Sequence, residues 1–157
     1  MARVKQGAKA PNFSLHNQNG DLVSLKDFVG KYLILYFYPK ALTPGCTAQA
    51  CGMRDIQKEL QSLNAAAVGI SPDPVKKLQK FKEKHELNFD LLADEDHSVA
   101  ESYGVWELKK FMGKEYMGVV RTTFVIDPTG KIVGIPERFT TSTHHQVVLD
   151  WLKSHIK

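Results

Sequence analysis

Cys46 and Cys51 are the only two cysteines of the 157-residue chain, and they lie five positions apart in the stretch YFYPKALTPGCTAQACGMRD. A thiol that is deprotonated at neutral pH is a nucleophile, and peroxide oxidises such a thiolate to a sulfenic acid. A second thiol nearby condenses with the sulfenic acid to form a disulfide. The pair therefore indicates a thiol peroxidase scheme, with Cys46 as the reactive thiol.

The position of Cys46 explains why it is the more reactive of the two. The continuous apolar segment YLILYFY at 32–38 predicts a strand buried on both faces, and Pro39 ends it. After the turn signal LTPG a helix begins, whose apolar face comprises Met53, Ile56, Leu60 and Leu63. Cys46 then falls in the first helical turn, where free backbone N–H groups and the helix dipole favour an anion. We expect a thiolate there.

The five-residue spacing does not allow a disulfide within an intact helix. On an ideal helix the two Cα atoms are about 8.7 Å apart, whereas a disulfide rarely tolerates more than about 7 Å. Pairing would require the first turns to unwind. Gly52 favours this opening, because glycine costs about 1 kcal/mol relative to alanine in a helix interior.

Other interpretations of these residues remain open at this stage. Cys51 alone is equally well explained as a small buried core residue. A zinc site needs more ligands than two cysteines, and the six histidines show no matching spacing, so we expect no metal. The spacing also departs from the C-x-x-C pair of thioredoxin-type reductases. The adjacent His144 and His145 are expected to open the last helix on the protein surface.

Cleavage of an O–O bond also needs groups that stabilise negative charge on the leaving oxygen. Arginine suits this role because its donors stay charged at all working pH values. Spacing alone does not choose among the four arginines, Arg3, Arg54, Arg121 and Arg138. Thr43 offers a hydroxyl near Cys46 but could equally cap the helix, and Pro39 could shield the thiolate or simply stop the strand.

The remaining pattern predicts an α/β fold with a central mixed β-sheet, flanking helices and an extra N-terminal β-hairpin. A second buried strand at 65–71 completes a right-handed strand–helix–strand unit. The other expected elements, in chain order, are a hairpin turning at Asn19 and Gly20, a lysine-rich helix at 76–86, a strand around 89–92, a helix from 96 or 97 to 103, two strands joined at 127–130, and a final amphipathic helix in HHQVVLDWLKSHI.

Length and composition place bounds on the function. Residues 1–157 fit one domain, and no apolar run is long enough to span a bilayer. The N-terminus lacks the apolar core of a signal peptide, so we expect a cytoplasmic protein. The net charge of +4 is spread along the chain, and the lysine-rich helix is explained by a solvated face, so we expect no nucleic-acid partner.

The chain resembles the peroxiredoxins, specifically the bacterioferritin comigratory protein or PrxQ subfamily. The resemblance runs nearly end to end, through GAKAPNFSL, GISPD, LLADEDHSVAESYGVW and RTTFVIDPTGKI, and includes the P-x-x-x-T-x-x-C pattern of Pro39, Thr43 and Cys46. It implies a thioredoxin-like fold, a monomer, no cofactor, and reduction of the oxidised form by thioredoxin. Peroxide, both hydrogen peroxide and organic hydroperoxides, is the implied substrate.

The resemblance also implies a role for each site residue. Cys46 is the peroxidatic cysteine, Thr43 binds the peroxide and orients the thiolate, and Pro39 shields the pocket. Among the four arginines it selects Arg121 as the one that stabilises thiolate and transition state. Cys51 matches the resolving cysteine of those members that carry it in the same helix, and Gln49 stands where many members have Glu.

Two further hypotheses compete with the peroxidase. In the first, the Cys46–Cys51 disulfide switches a redox-sensing or chaperone-like binding module. In the second, the chain is an oxidoreductase that acts on protein disulfides. We rank both below the peroxidase because of the combination of Pro39, Thr43 and Cys46.

Overall fold

A seven-stranded mixed sheet forms the centre of the computed structural model, which describes residues 3–156. The strands of this sheet are β1 (Ser14–Asn17), β2 (Leu22–Ser24), β3 (Tyr32–Phe37), β4 (Ala65–Ser71), β5 (Asp90–Ala93), β8 (Thr122–Ile126) and β9 (Ile132–Gly134). Strands β6 (Trp106–Phe111) and β7 (Lys114–Val119) form a second, two-stranded sheet. The helices are α1 (Pro44–Asp55), α2 (Gln57–Ser62), α3 (Val75–His85), α4 (Ser98–Ser102) and α5 (His144–His155).

The strand order is β2-β1-β5-β4-β3-β8-β9, with β3 at the interior. Strands β3, β4 and β5 are parallel, and the outer strands pair antiparallel to their neighbours. The expected α/β fold with a mixed sheet and an N-terminal hairpin is confirmed. The hairpin β1–β2 turns at 18–21, as the sequence predicts.

Strand β3 is buried on both faces because the sheet separates two apolar cores. Ile34 and Tyr36 point into the core that α1, α2, α3 and α5 cover, while Leu33 and Leu35 belong to the core on the opposite face. All four side chains are at most 1% exposed. This explains why the segment is continuously apolar rather than alternating.

The helix predicted after LTPG is divided into two. The backbone of Ile56 leaves helical geometry, with φ −103° and ψ 8°. At the same point the side chain of Gln57 donates to the carbonyl of Met53 at 3.0 Å, an acceptor that the Gln57 N–H would use in a continuous helix. The apolar face is preserved across the break, since Met53, Ile56 and Leu60 are all buried.

The hairpin β6–β7 was not predicted from the sequence. It forms a separate two-stranded sheet, and most of its side chains are exposed, so no buried face gives it an alternating pattern. Its exposed apolar residues are Leu108, Phe111, Met112, Tyr116 and Met117. The hairpin leads directly into Arg121 and β8.

No helix within residues 3–156 is both long and apolar enough to cross a bilayer.

Candidate active site

The loop that leaves β3 is tied to the neighbouring strand by a buried carboxylate. Asp73, which follows β4 and is 6% exposed, accepts hydrogen bonds from the backbone N–H of Ala41 and from the hydroxyl of Ser71, both at 2.7 Å. Lys77 pairs with its other oxygen at 3.2 Å. The loop is therefore fixed where the chain turns from β3 into α1.

Helix α1 begins with a pair of residues suited to a helix start. Thr43 is the N-cap, with extended backbone angles, and Pro44 occupies the first helical position. The first helical hydrogen bond runs from the N–H of Thr47 to the carbonyl of Thr43, at 2.8 Å. The N–H groups of Gly45 and Cys46 precede that bond, so they have no acceptor within the helix and favour an anion beside them.

Cys46 is buried, with only 1% of its surface exposed. Nη2 of Arg121 donates toward its sulfur at 3.4 Å. The antiparallel pairing of β8 with β3 sets Thr122 opposite Phe37, so Arg121 reaches the end of β3 from which the α1 loop departs. A positive charge is thereby fixed in contact with the Cys46 sulfur.

Gln49 holds the other side of the guanidinium. It is fully buried, one turn after Cys46 on α1, and its Oε1 accepts a hydrogen bond from Nη1 of Arg121. The two amino groups of the arginine thus contact two side chains of one helix. This orients the planar fork toward the sulfur.

Pro39 and Thr43 lie near the two ends of the loop that joins β3 to α1. The hydroxyl of Thr43 makes no helix-capping bond; it donates instead to the carbonyl of Lys40 at 2.9 Å. Its oxygen lone pairs are therefore free of the helix N–H groups. Pro39 is half-buried, two residues beyond the end of β3.

The other arginines are engaged elsewhere or exposed. Arg3 pairs with Glu137. Arg54 contacts Asp55 at 2.9 Å and the carbonyl of His85 at 2.8 Å. Arg138 is exposed. Of the four candidates, Arg121 is the one brought against Cys46.

The expectation that His144 and His145 open the last helix on the surface was wrong, since His145 is half-buried and His144 is not on the surface at all. Its side chain is fully buried, with Nε2 at 2.8 Å from the hydroxyl of Thr123, and its ring lies 5.4 Å from that of Tyr36 and 4.6 Å from that of Phe139. Burial, followed by the charge of Arg121, lowers the pKa of His144 to about 3. A neutral imidazole is accommodated there because β8 supplies its partner, which sequence-local reasoning does not reveal.

Two residues near the site were missed by sequence reasoning. Lys109 of β6 donates to the carbonyl of Val119 at 2.9 Å, and its pKa is lowered by burial and by the nearby Arg121. Thr141 lies over the start of α1: a Cβ added to Gly45 would have the Thr141 methyl at 3.5 Å and Nη2 of Arg121 at 3.7 Å. The Thr141 contact joins segments far apart in sequence, whereas Lys109 bonds to the partner strand of its own hairpin, an element that the sequence did not predict.

Within the residues that the structure describes, no group of three or more His, Cys, Asp and Glu side chains is arranged to hold a metal ion.

Comparison with known proteins decides the family. Residues 6–135 match the AhpC/TSA family. The chain is 54% identical over 155 residues to the peroxiredoxin Bcp of Escherichia coli K12, covering 99% of each protein. The chain belongs to the AhpC/TSA family of peroxiredoxins.

Solved structures agree with the identification of the chain as a Bcp-type peroxiredoxin. The peroxidoxin BcpB of Mycobacterium tuberculosis superposes with a TM-score of 0.87 at 37% identity, over 99% of this chain and 100% of that one. A bacterioferritin comigratory protein of Xanthomonas campestris, studied for its alkyl peroxide reduction, gives a TM-score of 0.87 at 31% identity over 92% of both chains. The thioredoxin-like fold is thereby confirmed.

Peroxiredoxins are peroxidases, so the peroxidase prediction is also confirmed. The redox-sensing module and the protein disulfide oxidoreductase are not favoured by these relatives. In this peroxiredoxin both thiols are free, Cys46 buried and Cys51 partly exposed. Helix α1 is continuous through both residues, so the separation of about 8.7 Å expected for an ideal helix applies to this reduced state.

Proposed function

We propose that the chain reduces hydrogen peroxide and organic hydroperoxides through Cys46, with Cys51 as the resolving thiol and thioredoxin as the reductant. The observation that carries the proposal is the contact of 3.4 Å between Cys46 Sγ and Arg121 Nη2 in the first turn of α1. A buried thiolate with a cation beside it is a nucleophile, and the same cation faces the oxygen that leaves.

The first step transfers one oxygen to sulfur. The Cys46 thiolate attacks the terminal oxygen of the hydroperoxide, an S–O bond forms, and the O–O bond breaks. Sulfur loses two electrons and becomes a sulfenic acid, while the released alkoxide or hydroxide takes a proton to leave as alcohol or water. Arg121 stabilises both the thiolate and this leaving oxygen, and the hydroxyl oxygen of Thr43 accepts a hydrogen bond from the O–H of the bound hydroperoxide.

Pro39 shields the Cys46 thiolate from water. It carries no N–H donor and is half-buried, two residues beyond the end of β3, so it excludes water from the thiolate without offering it a hydrogen bond. An organic substrate is consistent with this apolar side chain, and the Xanthomonas campestris relative was studied for alkyl peroxide reduction.

The second step closes the disulfide. The Cys51 sulfur attacks the Cys46 sulfenic sulfur, the S–O bond breaks, and water leaves with the hydroxyl and the Cys51 proton. Helix α1 must unwind for the sulfur atoms to meet. Thioredoxin then transfers two electrons and two protons, which restores both thiols. The proposal also comprises one domain over residues 1–157, a monomer and a cytoplasmic location, where dithiol reductants are present.

The test is a coupled assay with thioredoxin and its reductase, with Cys46→Ser and Cys51→Ser as the variants. We expect Cys46→Ser to be inactive. We expect Cys51→Ser to consume one equivalent of peroxide at the normal rate and then to stop as a sulfenic acid. Turnover by Cys46→Ser would refute the assignment of Cys46, and full thioredoxin-dependent turnover by Cys51→Ser would refute the assignment of Cys51.

A further inference from the structure

The segment at 141–145, where the chain enters α5, contacts α1 at the two glycines that flank the cysteines. Gly45 directly precedes Cys46, and Gly52 directly follows Cys51. Thr141 lies over the first glycine, with its Oγ1 at 3.9 Å from the position of a Cβ there. His145 lies over the second. One short segment therefore spans the whole length of helix that must unwind to join the sulfur atoms.

The contact of His145 with Gly52 is the tighter of the two. A Cβ added to Gly52 would overlap the imidazole, with the ring Cγ at only 2.8 Å. Gly52 is buried, and Nδ1 of His145 is buried without a hydrogen-bond partner. The ring is thus held by its fit against the bare helix backbone, and any residue larger than glycine would displace it.

Helix α5 is firmly attached to the sheet. In the contact between His145 and Gly52, α5 therefore stays in place and α1 is the helix that moves. Next to His145, the buried His144 is bonded to Thr123 of β8. Further along, Val148 and Leu152 are fully buried in the core, and the ring of Trp151 packs so closely on Gly134 that a Cβ there would overlap it. When α1 unwinds, it must therefore leave the His145 ring, because α5 stays with the sheet.

We propose that His145 is a positioning residue that holds α1 wound and thereby sets the rate at which Cys51 reaches the Cys46 sulfenic acid. The inference rests on the proposed function of Cys51 as the resolving thiol. While the helix is wound, the sulfenic acid remains in the pocket, where a second peroxide oxidises it to sulfinic acid in competition with the disulfide. The fit of His145 on Gly52 therefore also determines how much enzyme is lost to overoxidation.

The first test compares His145→Ala with Gln146→Ala, an exposed neighbour on the same helix. Rapid quenching with an alkylating reagent follows sulfenic acid and disulfide separately after mixing with hydrogen peroxide. We expect His145→Ala to form the disulfide several-fold faster and to yield less sulfinic acid at high peroxide, with the first oxidation step unchanged within about twofold. Gln146→Ala should match the wild type. An unchanged or slower disulfide step in His145→Ala would overturn the proposal.

Hydrogen exchange of the reduced protein tests the same point without peroxide and without Cys51 chemistry. Amides at 47–55 should exchange faster in His145→Ala by the factor seen in the disulfide step, because both depend on opening of α1. Amides of β3 and β8 report whether the variant is otherwise folded. Unchanged exchange at 47–55 in a folded variant would contradict the role of His145.

A double-mutant cycle with Gly52→Ala separates fit from general destabilisation. Beside the native ring, the new methyl displaces His145, so Gly52→Ala should speed the disulfide step. In the His145→Ala background the three atoms nearest to the new methyl, all of the imidazole, are absent and alanine favours the helix, so the same substitution should slow the disulfide step. The same sign in both backgrounds would overturn the proposal. If the wild type forms no Cys46–Cys51 disulfide at all, the proposed function of Cys51 has failed instead.

Discussion

Cys46 contacts Arg121, and Arg121 is in turn held by Gln49, so the reactivity of the thiol depends on a side chain that does not touch it. The guanidinium has one amino group on the sulfur and one on the buried amide oxygen. In a buried site such charge-assisted bonds are stronger than neutral ones, and the loss of one partner leaves the other unsatisfied.

Arg121→Met should slow oxidation of Cys46 by roughly 100-fold to 1000-fold, the loss typical for removing a donor from a developing anion. Arg121→Lys should recover only part of the rate, because an ammonium cannot contact Cys46 and Gln49 with two amino groups. Stopped-flow oxidation by hydrogen peroxide gives the rates. A variant as fast as the wild type would show that the contact is structural only.

Gln49→Leu should slow the same step by about tenfold, since the oriented fork of Arg121 loses its second anchor. Gln49→Glu keeps an acceptor at the same place and is the matched comparison; it should hold the arginine and lose less. The stopped-flow rate and the unfolding midpoint in urea would be measured together. Equal losses in the two variants would mean that the acceptor is not what matters.

Among single residues, the sequence predicted where Cys46 lies in the fold but not most of the side chains around it. Cys46 follows from its place after a buried strand at the start of a helix, whereas spacing left Arg121 among four arginines until the resemblance selected it. His144 was misjudged because its partner Thr123 comes from β8. Thr141 was missed because the loop before α5 carries no motif that ties it to α1.

Among the elements, the junction of β3 with α1 is positioned by Asp73, a residue of the next strand's exit loop. Its carboxylate accepts from Ala41 and Ser71, so the segment that carries Thr43 is fastened at one buried point. This tie lies outside the cysteine motif, and the spacing of the residues does not predict it.

Asp73→Ala should lower the free energy of unfolding by about 3 kcal/mol, because a buried N–H and a buried hydroxyl lose their acceptor. It should also slow Cys46 oxidation, since the loop is no longer fixed. Asp150→Ala, on the exposed face of α5, is the control and should change neither quantity. Urea unfolding and stopped-flow oxidation are the measurements, and a stable but slow variant would separate the two effects.

The pH dependence of the free energy of unfolding should show that His144, at the start of α5, is neutral in the folded protein. Burial lowers the pKa of His144 from 6.5 to about 3 in the folded protein. Below pH 6.5 the unfolded chain therefore binds a proton at this histidine that the folded chain does not bind. Stability is therefore complete above pH 6.5 and is lost as the pH falls toward 3, at up to about 1.4 kcal/mol per pH unit. His144→Gln should lose this dependence between pH 6.5 and pH 5, where most carboxylates stay ionised.

Urea unfolding at several pH values would measure this difference. The His155→Gln variant serves as the control because that histidine is exposed at the other end of α5. Parallel curves for wild type and His144→Gln would mean that His144 accepts a proton in the folded protein.

Over the whole molecule, the strands and most helices were predictable because each presents a local pattern to one of the two cores. The exceptions are elements whose pattern is not set by burial. The hairpin β6–β7 is largely exposed, and the break at Ile56 lies within an otherwise regular apolar face, where the Gln57 side chain bonds to the carbonyl of Met53.

All residues proposed for the site come from one chain, namely Pro39, Thr43, Cys46, Cys51 and Arg121. Peroxidase turnover per chain should therefore be constant over roughly two orders of magnitude in protein concentration, with no loss on dilution. Turnover and sedimentation velocity would be compared, with Leu108→Ser/Met117→Ser as a variant of the exposed hairpin. Activity that falls on dilution would mean that a second copy completes the site.

The pairing of β8 with β3 brings together two residues that are 75 positions apart in sequence, the thiol of Cys46 and the guanidinium of Arg121. During synthesis the cysteine leaves the ribosome long before the arginine does. Until Arg121 has been synthesised and β8 has paired with β3, the Cys46 sulfur lacks the cation that contacts it in the folded protein. The order of translation thus leaves the proposed site incomplete until Arg121 and β8 have been added to the chain.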